Sequence, residues 1–447
     1  MSLTERASAL LEDHGRGVIV ALCLIVALGF ALRAERALDP PAPDRSSRAE
    51  RSVEIDSNTY LSISKSLYED GSYGGPNFRA ASDWSPGAPL LFAATYFVTG
   101  GVHDGVARLV LALLGAIGIA VVYQLGRHFG GPAVGLLAAL IVAIYPAFIY
   151  STGLLLSEPG AVLFLPATVL ALLWADERDS SWAWLAPGAL LGLTALFRPE
   201  YLVFGVVFFV VVLLRVRARA GWQPGLAAAG LLVAAFAAVI LPWTIRNYVV
   251  LDRVVPVSTG GGKALYIGTY LPGDGDHFQT KEQLYRRFFP RTKLSSEEIE
   301  RGQPMAPLLD RIAAEYPSGS RDAALARAGR ENIRTYLVGE PLDYAAMTAR
   351  KVWRLWRNGA VGMDGSGWRA VQLILIALGL AGLVLLARRR AWEALVVGAF
   401  IVGITLIGAV LLASTRRNEI LMPLVLTLAA LALVQGFQAV RERLGTS

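Results

Sequence analysis

The sequence predicts an all-α polytopic membrane protein with about ten transmembrane helices. Of the 447 residues, 54% are apolar and only 17% are charged, and the mean hydropathy is +0.49. An ordinary soluble domain carries about 25% charged residues. The apolar residues also form successive runs, many of which approach the length of about 20 residues that a membrane-spanning helix needs. We therefore expect a chain that crosses the membrane many times.

The predicted spans follow from these apolar runs in chain order. They are 17–32, 106–125, 134–150, 160–174, 184–197, 202–214, 227–241, 371–386, 394–412 and 420–434. A further run, 90–98, is too short to cross comfortably and is predicted to be an interfacial or re-entrant helix.

Two polar regions interrupt the spans, and the second of them divides the chain into three parts, 1–243, 244–369 and 370–447. The first part holds a polar loop at about 33–89. The second part begins with Gly- and Pro-rich loop signals and then shows helical periodicity over 323–337 and 343–356. Gly339-Glu-Pro341 is expected to separate these two helices. The aromatic residues Trp353, Trp356 and Trp368 precede the next span, as interfacial aromatics do.

The distribution of Lys and Arg predicts the orientation. Most basic short loops fall on one side if both termini are cytoplasmic, among them 215–219 and 388–390. The loop 33–89 and the region 244–369 then face the extracytoplasmic side of the plasma membrane. The net charge of +7 fits anionic membrane lipids and does not indicate nucleic acid. The single cysteine, Cys23, excludes an intrachain disulfide.

The stretch from Glu54 to Tyr73 begins a new pattern after the first span. Apolar residues recur at helical spacing, and Gly71 is expected to end the helix. Asp56 stands just before this pattern, where an Asp commonly caps a helix. The stretch leaves two interpretations open: Asp56 only caps the helix, or it is also a catalytic carboxylate held in a fixed position.

Other ionisable residues stand at the outer ends of successive spans. Charges at membrane depth are costly and indicate function by default. A structural alternative is that Arg198 pairs with Glu200, and Arg416 with Glu419, at the interface. The candidates are Glu158, Arg198, Glu200, Arg246, Arg416 and Glu419.

Two further motifs are weak. Gly260-Gly-Gly-Lys263 lacks the spacing of a phosphate-binding P-loop, and Gly262 is expected to serve a backbone turn. His277 lies beside Asp274 and Asp276, but a solvated loop is favoured over a metal site. No cofactor is expected, and the involvement of a divalent cation stays open.

The order of these features resembles the GT-C integral-membrane glycosyltransferases of the protein-O-mannosyltransferase and aminoarabinose-transferase type. In that family an acidic residue in the first outer loop is followed by a Tyr four positions later, as Asp56 is by Tyr60. Further similar segments follow in the family's order. They are Trp84-Ser-Pro-Gly-Ala-Pro89, Tyr145-Pro146, Ser157-Glu158, Phe197-Arg-Pro-Glu200, Ile245-Arg-Asn-Tyr248, Tyr266-Ile-Gly268 and Arg416 before Pro423. One departure is Arg416-Arg417-Asn418, where relatives often show an Arg-Tyr pair.

The resemblance implies transfer of a hexosyl or pentosyl group from a polyprenyl-phosphate donor to a hydroxyl of a lipid, protein or polysaccharide. It implies that Asp56 acts as the general base and that the anomeric carbon inverts. Arg198 and Arg246, then Arg416 and Lys263, would bind the leaving phosphate. Tyr60, Glu158 and Glu200 would complete the substrate site, and the prenyl tail would lie in a groove between spans.

Two other classes of function remain as alternatives. A transporter or flippase of a lipid-linked sugar would also place charges at membrane depth. Such proteins often show inverted repeats and broken midplane helices in matching positions, which the sequence does not display. A non-catalytic assembly scaffold would leave the polar residues at the span ends unexplained.

Overall fold

The structure is a computed structural model that describes residues 15–40, 48–74, 82–359, 363 and 365–445. Every regular element in these ranges is a helix. The predicted all-α class is therefore confirmed. Parts of the predicted outer loop, 41–47 and 75–81, lie outside the described residues.

The helices, numbered in chain order, are connected by short segments that include the 3-10 turns Ser181–Trp184, Pro199–Leu202 and Leu271–Gly273. They are α1 Arg16–Leu38, α2 Arg48–Glu69, α3 Gly87–Thr99, α4 Asp104–Gly130, α5 Pro132–Ile144, α6 Pro146–Thr152, α7 Glu158–Asp176, α8 Leu185–Phe197, α9 Val203–Ala220, α10 Trp222–Leu251, α11 Gly261–Thr269, α12 His277–Phe288, α13 Ser296–Gly302, α14 Ala306–Glu315, α15 Arg321–Gly339, α16 Pro341–Arg357, α17 Ser366–Arg389, α18 Ala391–Val410 and α19 Thr415–Gly445.

Within the described residues, 8 helices are long and apolar enough to cross a membrane: α1, α4, α7, α9, α10, α17, α18 and α19. The pair α5 and α6 passes the same test together, with a bend of 50° between them, which raises the number to 9. Helix α3, which covers the run 90–98, and helix α8 with its preceding turn, which covers the predicted span 184–197, are shorter apolar helices. The membrane class holds, and length and composition support fewer full spans than the predicted ten.

Tertiary contacts group the chain into two compact units. The first comprises Met1–Val257, Gly359–Phe400 and Glu419–Ser447, and it holds most of the apolar helices. The second comprises Ser258–Asn358 and Ile401–Asn418. The hydrophilic region 244–369 is thus mostly in the second unit, together with the ends of α18 and α19 that adjoin it.

In the first unit, α1 extends beyond its predicted end at 32 to Leu38. Arg33 is 2% exposed and donates to the carbonyls of Val142 and Ala143, each at 2.9 Å. These two residues lie in the last turn of α5, and Pro146 beyond it has no N–H to continue the helical hydrogen bonds. The sequence places the start of a polar loop at Arg33, but tertiary contacts supply the partners that keep this residue inside the helix.

Helix α2 runs from Arg48 to Glu69, so Asp56 lies in its third turn. The prediction that Asp56 caps this helix is wrong. The buried stripe of α2 already includes Val53, two turns before Tyr60, so the amphipathic pattern starts upstream of the residues that indicated it. The predicted end is correct, because Gly71 adopts a left-handed conformation with φ of 64°.

In the second unit, α15 and α16 match the two predicted helices, and Pro341 begins the second of them. Helices α11, α12, α14 and α15 share a hydrophobic core that includes Ile267, Leu284 and Leu309. Gly262 meets α15 so closely that a Cβ would lie 1.9 Å from the carbonyl oxygen of Asp322. The close approach of α15 explains why this position is glycine, whereas the expected backbone turn does not.

Candidate active site

A buried group of charges lies where α7 begins and α8 ends. The Arg198 guanidinium contacts a Glu158 carboxylate oxygen at 3.3 Å and Glu200 Oε1 at 2.8 Å. Glu158 is 1% exposed, and the Arg198 side chain is 13% exposed. The pairing of Arg198 with Glu200 was expected as the structural alternative, whereas the approach of Glu158 depends on the packing of α7 against α8.

Helix α2 extends this network through Tyr60. The Tyr60 hydroxyl donates to Ser157 Oγ at 3.3 Å, and Ser157 Oγ donates to Glu158 Oε2 at 3.3 Å. The Tyr60 hydroxyl also lies 3.4 Å from Ser85 Oγ, which donates to the carbonyl of Phe197 at 2.8 Å. The structure thus brings Tyr60, Glu158, Arg198 and Glu200 into one hydrogen-bonded network.

Asp56 lies on the same face of α2 as Tyr60, because the two residues are four positions apart. Its side chain is partly buried. The neighbouring Ser57 accepts a hydrogen bond from the backbone N–H of Leu155 at 3.1 Å. This bond joins α2 to the segment just before Ser157. The carboxylate of Asp56 is therefore held on a helix anchored at both Leu155 and Ser157.

An aromatic cluster beyond α2 holds Arg246. The rings of Tyr73 and Trp243 stand edge to face with centroids 4.5 Å apart. The Arg246 guanidinium carbon lies 5.1 Å and 4.9 Å from these ring centroids, respectively. Its nitrogens donate to the Tyr73 carbonyl at 3.2 Å and to Asn247 Oδ1 at 3.0 Å. Within the described part of the chain, these acceptors are uncharged and no carboxylate forms an ion pair with Arg246.

Tyr73 links the aromatic cluster to the charged network. Its hydroxyl donates to the carbonyls of Trp84 and Ser85, each at 3.2 Å. Burial, with a smaller effect of Tyr60, raises the pKa of Tyr73 well above its usual value, so the phenol stays protonated and can donate. The Trp84 ring stands edge to face with Tyr60 at 5.1 Å. The segment of Trp84 and Ser85 therefore joins the two halves of the site.

Lys263 and Arg416 belong to the second unit. Lys263 is exposed in the first turn of α11, and Arg416 is partly buried at the start of α19. Their roles as phosphate ligands stay predictions. The departure from the family pattern at Asn418 has a local explanation, since its amide donates to the carbonyls of Leu355 and Asn358.

The glycine-rich segment before Lys263 already binds an anion from the chain itself. The N–H groups of Gly260 and Gly262 both donate to Asp322 Oδ1 at 2.9 Å. A carboxylate thus occupies the position that a phosphate would take on such a loop. This contact agrees with the expectation that the motif is not a P-loop.

The carboxylates around His277 also have structural partners. Asp274 pairs with Arg350 at 2.7 Å and with Arg354 at 3.0 Å. Asp276 caps α12 by accepting from the N–H groups of the helix start. Burial, and next the charge of Lys263, lower the pKa of His277 to about 4. Among the described residues, no group of three His, Cys, Asp or Glu side chains could hold a metal ion.

The sequence did not identify the hydroxyl residues of the site. Ser57, Ser85, Ser157 and Tyr73 connect elements that are far apart along the chain. Only the positions of the three serines beside Asp56, Trp84 and Glu158 could have indicated them. A serine carries no helical or charge pattern that distinguishes a site residue from a surface residue.

The helical membrane fold is similar to that of the GT-C membrane glycosyltransferases. A family model described as dolichyl-phosphate-mannose-protein mannosyltransferase matches residues 83–243, which include Glu158 and Arg198. No protein among curated sequences matches the chain.

Solved structures of the archaeal oligosaccharyltransferase AglB from Archaeoglobus fulgidus are similar to this chain. The apo form has a TM-score of 0.57 at 15% identity over 96% of this chain. The complex with an inhibitory peptide and a dolichol-phosphate has a TM-score of 0.56 at 14% identity over 98%. The chain spans about half the length of these proteins, 51% and 52%. ArnT from Cupriavidus metallidurans, bound to undecaprenyl phosphate, aligns with a TM-score of 0.39 at 15% identity, over 93% of this chain and 77% of its own.

Proposed function

We propose that this protein is a membrane glycosyltransferase that moves a sugar from a polyprenyl-phosphate donor to an acceptor hydroxyl. The observation that carries the proposal is the buried network of Tyr60, Glu158, Arg198 and Glu200 beside Asp56, within a GT-C fold. The matched family model and the dolichol-phosphate in an AglB structure support a lipid-phosphate donor.

In the proposed reaction the acceptor oxygen attacks the anomeric carbon as the bond from that carbon to the phosphate oxygen breaks. The electron pair of the broken bond leaves with the polyprenyl phosphate. The acceptor proton passes to the carboxylate of Asp56, which acts as general base. Attack from the face opposite the leaving group inverts the anomeric carbon.

The charged residues of the site are assigned to different parts of the substrates. Arg198 already contacts two carboxylates, those of Glu158 and Glu200. We assign this network to hydroxyl groups of the sugar or acceptor. Arg246 has a guanidinium bound by uncharged groups and is the better partner for the leaving phosphate. Lys263 and Arg416 remain further candidates for that phosphate.

The proposed site lies on the extracytoplasmic side of the plasma membrane, with both termini cytoplasmic. The end of α7 opposite Glu158 supports this orientation. There, Arg178 stacks on Trp174 at 4.0 Å, and Arg215 and Arg219 pair with Asp176. An excess of Arg in short connections between spans is typical of the cytoplasmic side.

The test uses the purified full chain in liposomes with radiolabelled polyprenyl-phosphate mannose as the donor probe. Wild type is expected to release polyprenyl phosphate and transfer the label, and Asp56→Asn is expected to lower the rate by at least about 100-fold. Asp70→Asn is the matched control, because Asp70 is exposed just after the same helix.

Full transfer by Asp56→Asn would show that Asp56 is not the base. If wild type instead moves the labelled donor across the liposome membrane without transfer, the transporter alternative is correct. A panel of polyprenyl-phosphate hexoses and pentoses extends the same assay to the identity of the sugar.

A further inference from the structure

One face of the second unit exposes large apolar side chains next to a membrane span. In the segment Ser258–Asn358, the exposed large apolar residues are Phe289 and a group of four at the end of α15 and along α16. That group consists of Leu337 at 55% exposure, Val338 at 80%, Leu342 at 84% and Trp353 at 51%.

The other faces of α16 are already used within the second unit. Met347, Lys351 and Leu355 are buried along one face. Arg350 and Arg354 form a charged face that pairs with Asp274. The apolar face between them is not covered by other described residues of the unit. It forms an open groove of about 720 Å³, with Leu337, Tyr344, Ala349, Val352, Trp353 and Trp356 among its lining residues.

Contacts with α18 place this groove beside the end of a candidate membrane span. Trp356 Nε1 donates to Thr405 Oγ1 at 3.1 Å, and Lys351 Nζ donates to the carbonyl of Ala409 at 2.8 Å. Both acceptors lie in the last turns of α18, a helix long and apolar enough to span the membrane. Helix α16 therefore packs where that span reaches its end. An apolar face at this level meets lipid chains and headgroups before it meets bulk water.

We propose that α16 and the end of α15, from Leu337 to Trp356, form a membrane-surface segment whose groove is filled by acyl chains of bilayer lipids. Trp353 and Trp356 combine an apolar ring with an N–H that can reach the headgroup layer, as residues at a membrane interface do. The polar face with Arg350 and Arg354 is turned to other protein groups and to water. A helix with one apolar and one charged face lies in the plane of the interface.

Site-directed spin labelling tests this arrangement, because Cys23 is the only native cysteine. In a Cys23→Ser background, labels are placed at Leu342→Cys and at Val338→Cys. Asp343→Cys is the matched control, since Asp343 is the exposed neighbour of Leu342 and its side chain points in a different direction along α16. The full chain is reconstituted in vesicles of phosphatidylcholine and phosphatidylglycerol, and the collision rates with oxygen and with a water-soluble nickel chelate are measured.

Labels at 338 and 342 should collide readily with oxygen and poorly with the nickel chelate, with a ratio several-fold higher than at 343. Equal nickel access at 342 and 343 would show that this face is in water and would overturn the proposal. Labels at 338 and 342 that neither reagent reaches would show that protein covers the face, such as a second copy of the chain, and would also overturn it. The measurement does not depend on sugar transfer, so it stands or fails separately from the proposed function.

Discussion

Arg198 is the residue on which the charged network depends. Its guanidinium lies between Glu158 and Glu200, both of which are largely removed from water. Two carboxylates this close in a medium of low dielectric repel each other, and a guanidinium between them offsets the repulsion. The guanidinium therefore links the start of α7 to the segment that follows α8.

Replacing Arg198 tests whether its guanidinium offsets the repulsion between the two carboxylates. We expect Arg198→Gln to lower the free energy of unfolding by about 3 kcal/mol, because two largely buried carboxylates each lose one charged partner. Thermal unfolding of the detergent-purified variant measures the change. Adding Glu158→Gln should restore part of the loss, since one of the two charges is then removed. Arg330→Gln, at an exposed position of α15, is the control. An equal loss in single and double variants would contradict the interpretation.

At the scale of elements, the broken pair α5 and α6 depends on Arg33. The bend of 50° at Pro146 leaves the last carbonyls of α5 without helical partners, and Arg33 supplies donors to Val142 and Ala143. Backbone groups inside a membrane must find such partners, because the lipid offers none. The segment after α6 leads to Ser157 and Glu158, so the position of the broken span affects the site directly.

Space for Arg33 comes from Gly115 in α4. A Cβ on Gly115 would lie 2.7 Å from both Cδ and Nε of Arg33, whose guanidinium is held by three carbonyls. We therefore expect Gly115→Ala to destabilise the protein by about 2 kcal/mol and to lower sugar transfer. Gly105→Ala is the control in the same helix, because a Cβ there meets nothing within 4 Å.

Thermal unfolding and the transfer assay measure both effects of Gly115→Ala. The control variant should be neutral or slightly more stable, since Ala favours a helix over Gly. If the two alanine variants behave alike, Arg33 does not need the space that Gly115 leaves.

At the scale of the whole molecule, a buried lysine connects several helices of the second unit. Lys351 donates to the carbonyls of Gly268 at 2.6 Å and of Ala409 at 2.8 Å, which joins α11, α16 and α18. Burial, and next the charges of Arg417 and Arg354, lower the pKa of Lys351 to about 7. The ordinary pKa of lysine is about 10.4.

This pKa predicts how stability depends on pH. Between pH 7 and about pH 10 the unfolded chain binds more protons at this lysine than the folded chain, so stability rises with pH in that window. Below pH 7 both states bind the proton and the lysine adds no slope. We expect Lys351→Met to remove this part of the pH dependence and to leave carbonyls without a donor, at a cost of about 2 kcal/mol.

The test is thermal unfolding of wild type and of Lys351→Met at pH 7 and at pH 9. The change in unfolding temperature between the two pH values is compared between the two proteins. The comparison cancels the other groups that titrate in this window. A wild-type transition that moves with pH no more than that of the variant would contradict it.

Much of the membrane class and of the helical pattern was determined by the sequence alone. Apolar runs mark the spans, and Gly339 and Pro341 mark the boundary between α15 and α16, because hydrophobic periodicity and chain-breaking residues act locally. The candidates Glu158, Arg198 and Glu200 were also recognisable, since charged residues at span ends stand out against an apolar background. Tyr60 followed from the resemblance to the GT-C family. These four residues do meet in the structure.

Only the tertiary structure decided what distant residues do for one another. Arg33 was expected in a loop, because the carbonyls at the end of α5 cannot be recognised as its partners from spacing. Asp56 was expected at a helix start but lies inside α2, whose buried stripe begins as early as Val53. The serine links through Ser85 and Ser157 likewise join segments far apart in the chain. Local patterns report the solvent preference of a segment, whereas hydrogen-bond partners inside a membrane are assigned by packing, and packing is a property of the assembled helices.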